Sequence, residues 1–129
     1  VTEVIKVLVV DDQELFREIA RTMFEITGEF TVVAEASDGL DAVSAYIEHS
    51  PDLVLMDIQM ARMNGIEATR KIRSHDPSAS VILISMKADP EYQRVASQIG
   101  AVGFIAKRDL DPSTLKSLID DSLTKADAA

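Results

Sequence analysis

Residues 4–17 read VIKVLVVDDQELFR, an aliphatic and β-branched run that halts at two adjacent acids, Asp11 and Asp12. The run is apolar at consecutive positions, the pattern of a strand covered on both faces. The acids therefore stand where a buried strand ends. Adjacent carboxylates repel each other and resist desolvation, so a place beside the core calls for a use.

Working outward, similar short runs recur. The strand candidates are Ile5–Val10, 31–35, 53–56, Val81–Ser85 and 102–106. Stretches of helical period lie between and after them. Leu15, Ile19, Met23 and Ile26 stripe the first helix, and Leu40, Val43 and Ile47 the second. Ala68, Thr69 and Ile72 mark the third, and Tyr92, Val95, Ala96 and Ile99 the fourth. Leu115, Leu118, Ile119 and Leu123 mark the fifth. Asp89-Pro90 and Asp111-Pro112 read as N-caps followed by Pro at the first helical position, and Gly28 and Gly100 as C-terminal stops. No internal repeat, linker or low-complexity tract interrupts the alternation. Five βα units predict an α/β domain with a doubly wound parallel sheet and helices on both faces. Right-handed crossovers then bring every strand's C-terminal end to one edge, where such sheets bind ligands.

Chemistry concentrates on that edge. The first strand ends in Asp11-Asp12, the third in Asp57, the fourth in Ser85 and the fifth in Lys107. A lone Asp after a strand is ordinarily a turn or cap residue, and a lone Lys there is ordinarily solvated. Four such strand ends together are a different matter. Three clustered carboxylates suit Mg²⁺, which takes oxygen ligands and is often completed by a phosphate oxygen. Lys107 can neutralise an anion beside that metal, and the Ser85 hydroxyl can donate a hydrogen bond to it. With no His or Cys base at the edge, the set points to phosphoryl chemistry with an Asp nucleophile. There is no Walker loop and no G-x-G-x-x-G, so a nucleotide cofactor is not supported. His49 and His75 fall near helix ends and read as surface residues.

The bulk properties narrow the class. A chain of 129 residues with 47% hydrophobic and 27% charged residues reads as one globular domain with a proper core. Its formal charge of −9 argues against direct nucleic-acid binding, which needs clustered Lys and Arg. Having no cysteine excludes disulfides and thiol chemistry. No apolar segment approaches the ~20 residues of a membrane span, and no secretory signal leads the chain. A cytoplasmic location is expected, and a start at Val1 reads as processing or trimming.

The motifs VLVVDDQELFRE, AEASDGLDAV, PDLVLMDIQMARMNGIEATRKIR, LISMKADPEY and GAVGFIAKRD follow one another through nearly the whole chain. In these the sequence resembles the receiver (CheY-like) domain of bacterial two-component response regulators. The wording around Ser85-Met86, Glu91-Tyr92 and Gly103-Phe104 is most similar to the NarL/LuxR type. The resemblance implies a single receiver domain over residues 1–129 with strand order 2-1-3-4-5. It implies that Asp57 is phosphorylated by a sensor histidine kinase, with Mg²⁺ as cofactor. Asp11, Asp12, Asp57 and the backbone carbonyl of Gln59 would hold the metal. Lys107 and Ser85 would bond the phosphoryl group, and Phe104 would change rotamer as the domain switches. It also implies self-phosphorylation from small donors and slow autodephosphorylation, not turnover as an enzyme. The output, through a C-terminal helix-turn-helix domain or a downstream effector, would be transcription, with homodimerisation on phosphorylation as a further possibility.

Two positions depart from the family pattern. Ala61 stands where Pro is usual four residues after the phosphoacceptor, which removes a constraint on the loop's φ. Arg108 stands where many receivers carry a cis-Pro, and a cis bond to a non-Pro residue would cost about 3 kcal/mol. Among rivals, a haloacid-dehalogenase-type phosphohydrolase needs a second Asp two residues beyond the nucleophile, where this chain has Gln59. A non-phosphorylated interaction domain predicts an eroded site, whereas all five polar positions are filled. A flavodoxin-like FMN binder would rest on fold alone.

Overall fold

The computed structural model describes the backbone of residues 4–128 and the side chains of residues 4–120. Five parallel strands, β1 (Ile5–Val10), β2 (Phe30–Ala36), β3 (Leu53–Asp57), β4 (Val81–Ser85) and β5 (Gly103–Ala106), form one sheet in the order β2-β1-β3-β4-β5. Five helices connect and close them: α1 (Glu14–Thr27), α2 (Gly39–His49), α3 (Gly65–His75), α4 (Glu91–Gln98) and α5 (Pro112–Ala128). The sheet order reverses between β1 and β3, so the site predicted at the strand ends lies over those two strands. Among the described residues no helix is long and apolar enough to cross a membrane.

Strand alternation divides the core into two layers. Val7, Val9, Leu53, Leu55, Ile82, Ile84 and Ile105 pack against Ala20 and Phe24 of α1 and Leu115 and Ile119 of α5. Leu8, Val10, Val54, Met56, Val81, Leu83, Phe104 and Ala106 face the opposite layer, with Ala42 and Tyr46 of α2, Ala68 and Ile72 of α3, and Ala96 of α4. Strand β2 changes face partway along. Val7 pairs with Val32 but Leu8 pairs with Ala34, so Val33 is an extra residue. The bulge lets Phe30 and Val32 pack on the α1 side and Ala34 and Ala36 on the α2 side, although all four are even-numbered.

Two helical stripes differ from the sequence expectation. On α1, Leu15, Ile19 and Ile26 are 68%, 56% and 80% exposed, and only Met23 of that stripe reaches the core. The packed stripe is Phe16, Ala20 and Phe24, with Phe24 against Phe30 at 4.9 Å between ring centroids. This helix is apolar on two faces, and the aromatic face fills more of the layer between α1 and the sheet. On α2, Leu40 and Ile47 are exposed and Ala42 and Tyr46 are buried. The stripes of α3, α4 and α5 fall as expected, except that Val95 joins neither core layer and Leu123 lies outside the described side chains.

The punctuation holds in substance. Gly28 and Gly100 have φ of 70° and 79°, the left-handed conformation that ends α1 and follows α4. Asp111 accepts the Thr114 backbone N–H at 2.9 Å as a cap of α5. Helix α4 begins one residue later than read, yet Asp89 still caps it by accepting from the Glu91 N–H. The described residues contain no cis peptide bond, so Lys107–Arg108 is trans.

Candidate functional site

Strand β1 delivers Asp11 and Asp12 to the edge, and the first turn of α1 fixes the buried one. Asp11 Oδ1 accepts the Gln13 backbone N–H at 2.9 Å, and its carbonyl accepts from Arg17 Nη1 at 2.6 Å. Arg17 is itself held by Glu35 of β2. Strand β3 ends in Asp57, and Gly65 opens α3 directly against it. A Cβ on Gly65 would meet the Asp57 carbonyl oxygen at 2.1 Å, so only glycine admits this approach. Lys107 follows β5 in a short 3₁₀ turn (Lys107–Asp109).

Alternation decides which of these groups meet. Asp11, Asp57 and Lys107 continue the odd-numbered rows of β1, β3 and β5 that face α1. Carboxylate oxygens of Asp11, Asp12 and Asp57 lie within 4.8 Å of one another. Lys107, its side chain 6% exposed, places Nζ 2.6 Å from Asp11 Oδ2 and 3.8 Å from Asp57 Oδ1. Apart from that ion pair, the buried Oδ2 of Asp11 has no hydrogen-bond partner among the described residues. A pocket of about 170 Å³, lined by Asp12, Gln13, Asp57, Gln59, Met86 and Lys107, opens above them.

The electrostatics follow from crowding. Burial pushes the Asp57 carboxyl up to about 7, and the Asp11 charge pushes the same way. Lys107 opposes the rise, Asp12 adds to it, and the Gln59 backbone N–H partly offsets it. Hard oxygen donors this close, one of them buried without a hydrogen bond, fit a divalent cation such as Mg²⁺.

Ser85 belongs to the other parity. It is fully buried on the α4 side, does not line the pocket, and its Oγ accepts the Lys87 backbone N–H at 3.1 Å. Phe104 shares that side. Its ring is buried and lies 5.2 Å from Tyr92 between centroids, and its carbonyl accepts from Gln93 Nε2. Thus Asp12, Asp57, Lys107 and Gln59 line one pocket with Asp11 buried against Lys107, while Ser85 and Phe104 lie on the opposite side of the sheet.

The loop carrying Gln59 and Ala61 is tied down despite lacking proline. Arg62, at φ 67°, is the centre of a three-residue turn closed by Met63 N–H to the Ala61 carbonyl at 2.8 Å. Its guanidinium reaches Asp38 at 2.8 Å and Asp41 at 3.2 Å, and the Gly39 N–H bonds the Met63 carbonyl. Asp38 caps α2 through the Asp41 N–H. That bond, with help from Arg62, holds its carboxyl below the usual range against the effect of burial.

Sequence reading missed Gln13, Phe16, Arg17 and Met86 at the site. Gln13 Oε1 lies 3.5 Å from Lys107 Nζ, which sits 4.5 Å over the centre of the Phe16 ring. The available signal was the four-residue step Phe16-Ala20, which leads from the α1 core stripe to the acid pair.

The family described as the response regulator receiver domain matches residues 7–120 of this chain. The transcriptional regulatory protein DegU of Brevibacillus brevis is 37% identical over 103 residues, 80% of this chain and 44% of that protein. The signal receiver domain of NarL from Mycobacterium tuberculosis superposes with a TM-score of 0.84 at 34% identity, covering 93% of this chain and 97% of that one. A crystal structure of the CheX–CheY–BeF3–Mg²⁺ complex from Borrelia burgdorferi gives a TM-score of 0.82 at 30% identity, covering 92% and 89%. The match takes in less than half the length of DegU.

Proposed function

The chain belongs to the response regulator receiver domain family, and on that premise we propose that Asp57 accepts a phosphoryl group from a sensor histidine kinase. A carboxylate oxygen of Asp57 forms the new P–O bond as the donor's P–N bond breaks, leaving an aspartyl phosphate. Lys107, 3.8 Å from Asp57 Oδ1, brings positive charge to the phosphoryl oxygens. The Ser85 hydroxyl accepts from Lys87 and so keeps its own proton to donate to one of them. Asp11, Asp12, Asp57 and the Gln59 carbonyl would hold Mg²⁺, which would neutralise charge on the transferring group.

One observation carries the reading. Three carboxylates crowd together beside an enclosed ammonium, with Asp12, Asp57 and Lys107 lining one pocket, an arrangement that suits a carboxylate nucleophile taking up an anion. The modified domain changes shape through Ser85 and Phe104 to control an output, and it does not turn over a substrate. Relatives named as transcriptional regulators favour transcription as that output. It would be exerted from the cytoplasm by a helix-turn-helix domain or a downstream effector, with or without homodimerisation. At a formal charge of −9 this chain does not itself grip nucleic acid. Incubation with acetyl phosphate and Mg²⁺, read by intact mass, tests the proposal. The expected result is one added phosphoryl group on the wild type and none on Asp57→Asn. An undiminished gain in the variant overturns the assignment.

A further inference from the structure

The Lys107 ammonium has a fuller enclosure than its two carboxylates provide. Gln13 Oε1, from the N-cap residue of α1, stands at 3.5 Å, and the Phe16 ring centre, from the helix's first turn, at 4.5 Å. Asp11 is the nearest anion at 2.6 Å, with Asp57 at 3.8 Å. A lysine side chain is flexible, with a point charge at its tip, and carboxylates alone would draw that charge wherever the local negative potential is greatest. An aromatic face differs from both acids. It attracts a cation without titrating, and it offers no ligand oxygen to a hard metal ion. The ring therefore keeps its hold on the ammonium whatever occupies Asp11. Phe16 is itself placed by packing, as the first member of the stripe that seats α1 on the sheet.

We propose that Phe16, assisted by Gln13, is the positioning residue for Lys107: its ring is the seat that keeps the ammonium within reach of Asp57. The effect on phosphoryl transfer rests on the functional reading above, whereas the seat itself does not.

Two measurements test this. Lysine-ammonium ¹H–¹⁵N spectra recorded in chelator should show one resonance, absent in Lys107→Ala, displaced by the ring current of Phe16. Phe16→Leu should abolish the displacement, and Phe16→Tyr should retain it. With acetyl phosphate at fixed Mg²⁺, Phe16→Leu should slow phosphorylation by roughly 3- to 30-fold, the range expected of a desolvated cation–π contact. Phe16→Tyr should keep the wild-type rate, and adding Phe16→Leu to Lys107→Ala should cost nothing more. Circular dichroism confirms that each variant is folded, and Phe16→Tyr keeps the test open should Phe16→Leu fail to fold. A Lys107 resonance that stays in place in Phe16→Leu, or that moves in Phe16→Tyr as in Phe16→Leu, overturns the seat. So does an equal rate loss with and without Lys107. If wild type takes no phosphoryl group, the functional reading fails and the resonance still decides the seat.

Discussion

Asp57 stands 5% exposed with carboxylate oxygens of Asp11 and Asp12 within 4.8 Å, and its environment strains against its charge. Burial, with the Asp11 charge beside it, pushes its carboxyl up to about 7 from the 3.8 usual for an aspartate. An acid raised in this way binds more protons folded than unfolded, so ionising it between those values lowers stability as pH rises. Asp57→Asn removes the charge and keeps the shape. In chelator at pH 7.5 it should stabilise the fold by roughly 2–4 kcal/mol, from about 1.4 kcal/mol per pKa unit. The gain should shrink toward pH 5, where the wild-type group is protonated. Mg²⁺ should raise the melting temperature of the wild type more than that of the variant. Urea titrations at the two pH values check this, and a variant less stable than wild type in chelator would refute it.

Among the elements, α1 and α2 offer the sharpest tests. Helix α1 carries two apolar faces, and only the one bearing Phe16, Ala20 and Phe24 packs on the sheet. Phe24→Ala should cost about 3–5 kcal/mol, the usual range for an aromatic removed from a core. Ile26→Ser, at an 80% exposed position, should stay within about 0.5 kcal/mol. Comparable losses in denaturant midpoint would restore the stripe expected from the sequence. Helix α2 begins on Asp38, whose lowered pKa comes first from the Asp41 N–H and is reinforced by Arg62. A depressed acid stabilises the fold above its unfolded pKa, and this contribution fades as pH falls through the lowered folded value. Asp38→Ala should therefore cost about 1–2 kcal/mol near neutrality. Its stability curve should converge on that of wild type below pH 3.8, and parallel curves down to pH 3 would argue against the cap.

At the scale of the whole molecule, the proposed phosphoryl transfer on the α1 side of the sheet would have to act on α4 across it. Asp57 and Lys107 continue the strand rows that face α1, while Ser85 continues the opposite row, on the side where Phe104 and Tyr92 pack. Ser85 ends β4 beside the strand that ends in Asp57, so a bond from its hydroxyl to a phosphoryl oxygen would link the layers. Phosphorylation adds roughly −1.5 to −2 charge and new acceptors, enough to bias a two-state element that differs by a few kcal/mol. Beryllofluoride, standing in for the phosphoryl group, should shift the NMR signals of residues 95–103 in the wild type. Ser85→Ala should bind it with those shifts largely lost. A full wild-type pattern in the variant would remove Ser85 from the route.

The sequence by itself determined the alternation of strands and helices and the acids and lysine at the strand ends, while the strand order was implied only by the resemblance to receiver domains. Continuous apolar runs and four-residue steps are local patterns that survive without neighbours. The acid pair, Asp57 and Lys107 were legible because each closes such a run. Tertiary structure alone decided which of two equally apolar faces of α1 is buried, because that depends on what Phe24 meets across the layer. It also decided the bulge at Val33, which exchanges the faces of β2 to suit helices distant in sequence. Likewise it separated Ser85 from the pocket and brought Phe16 to Lys107. Both outcomes follow from strand parity and helix placement, and from a contact between residues 91 positions apart.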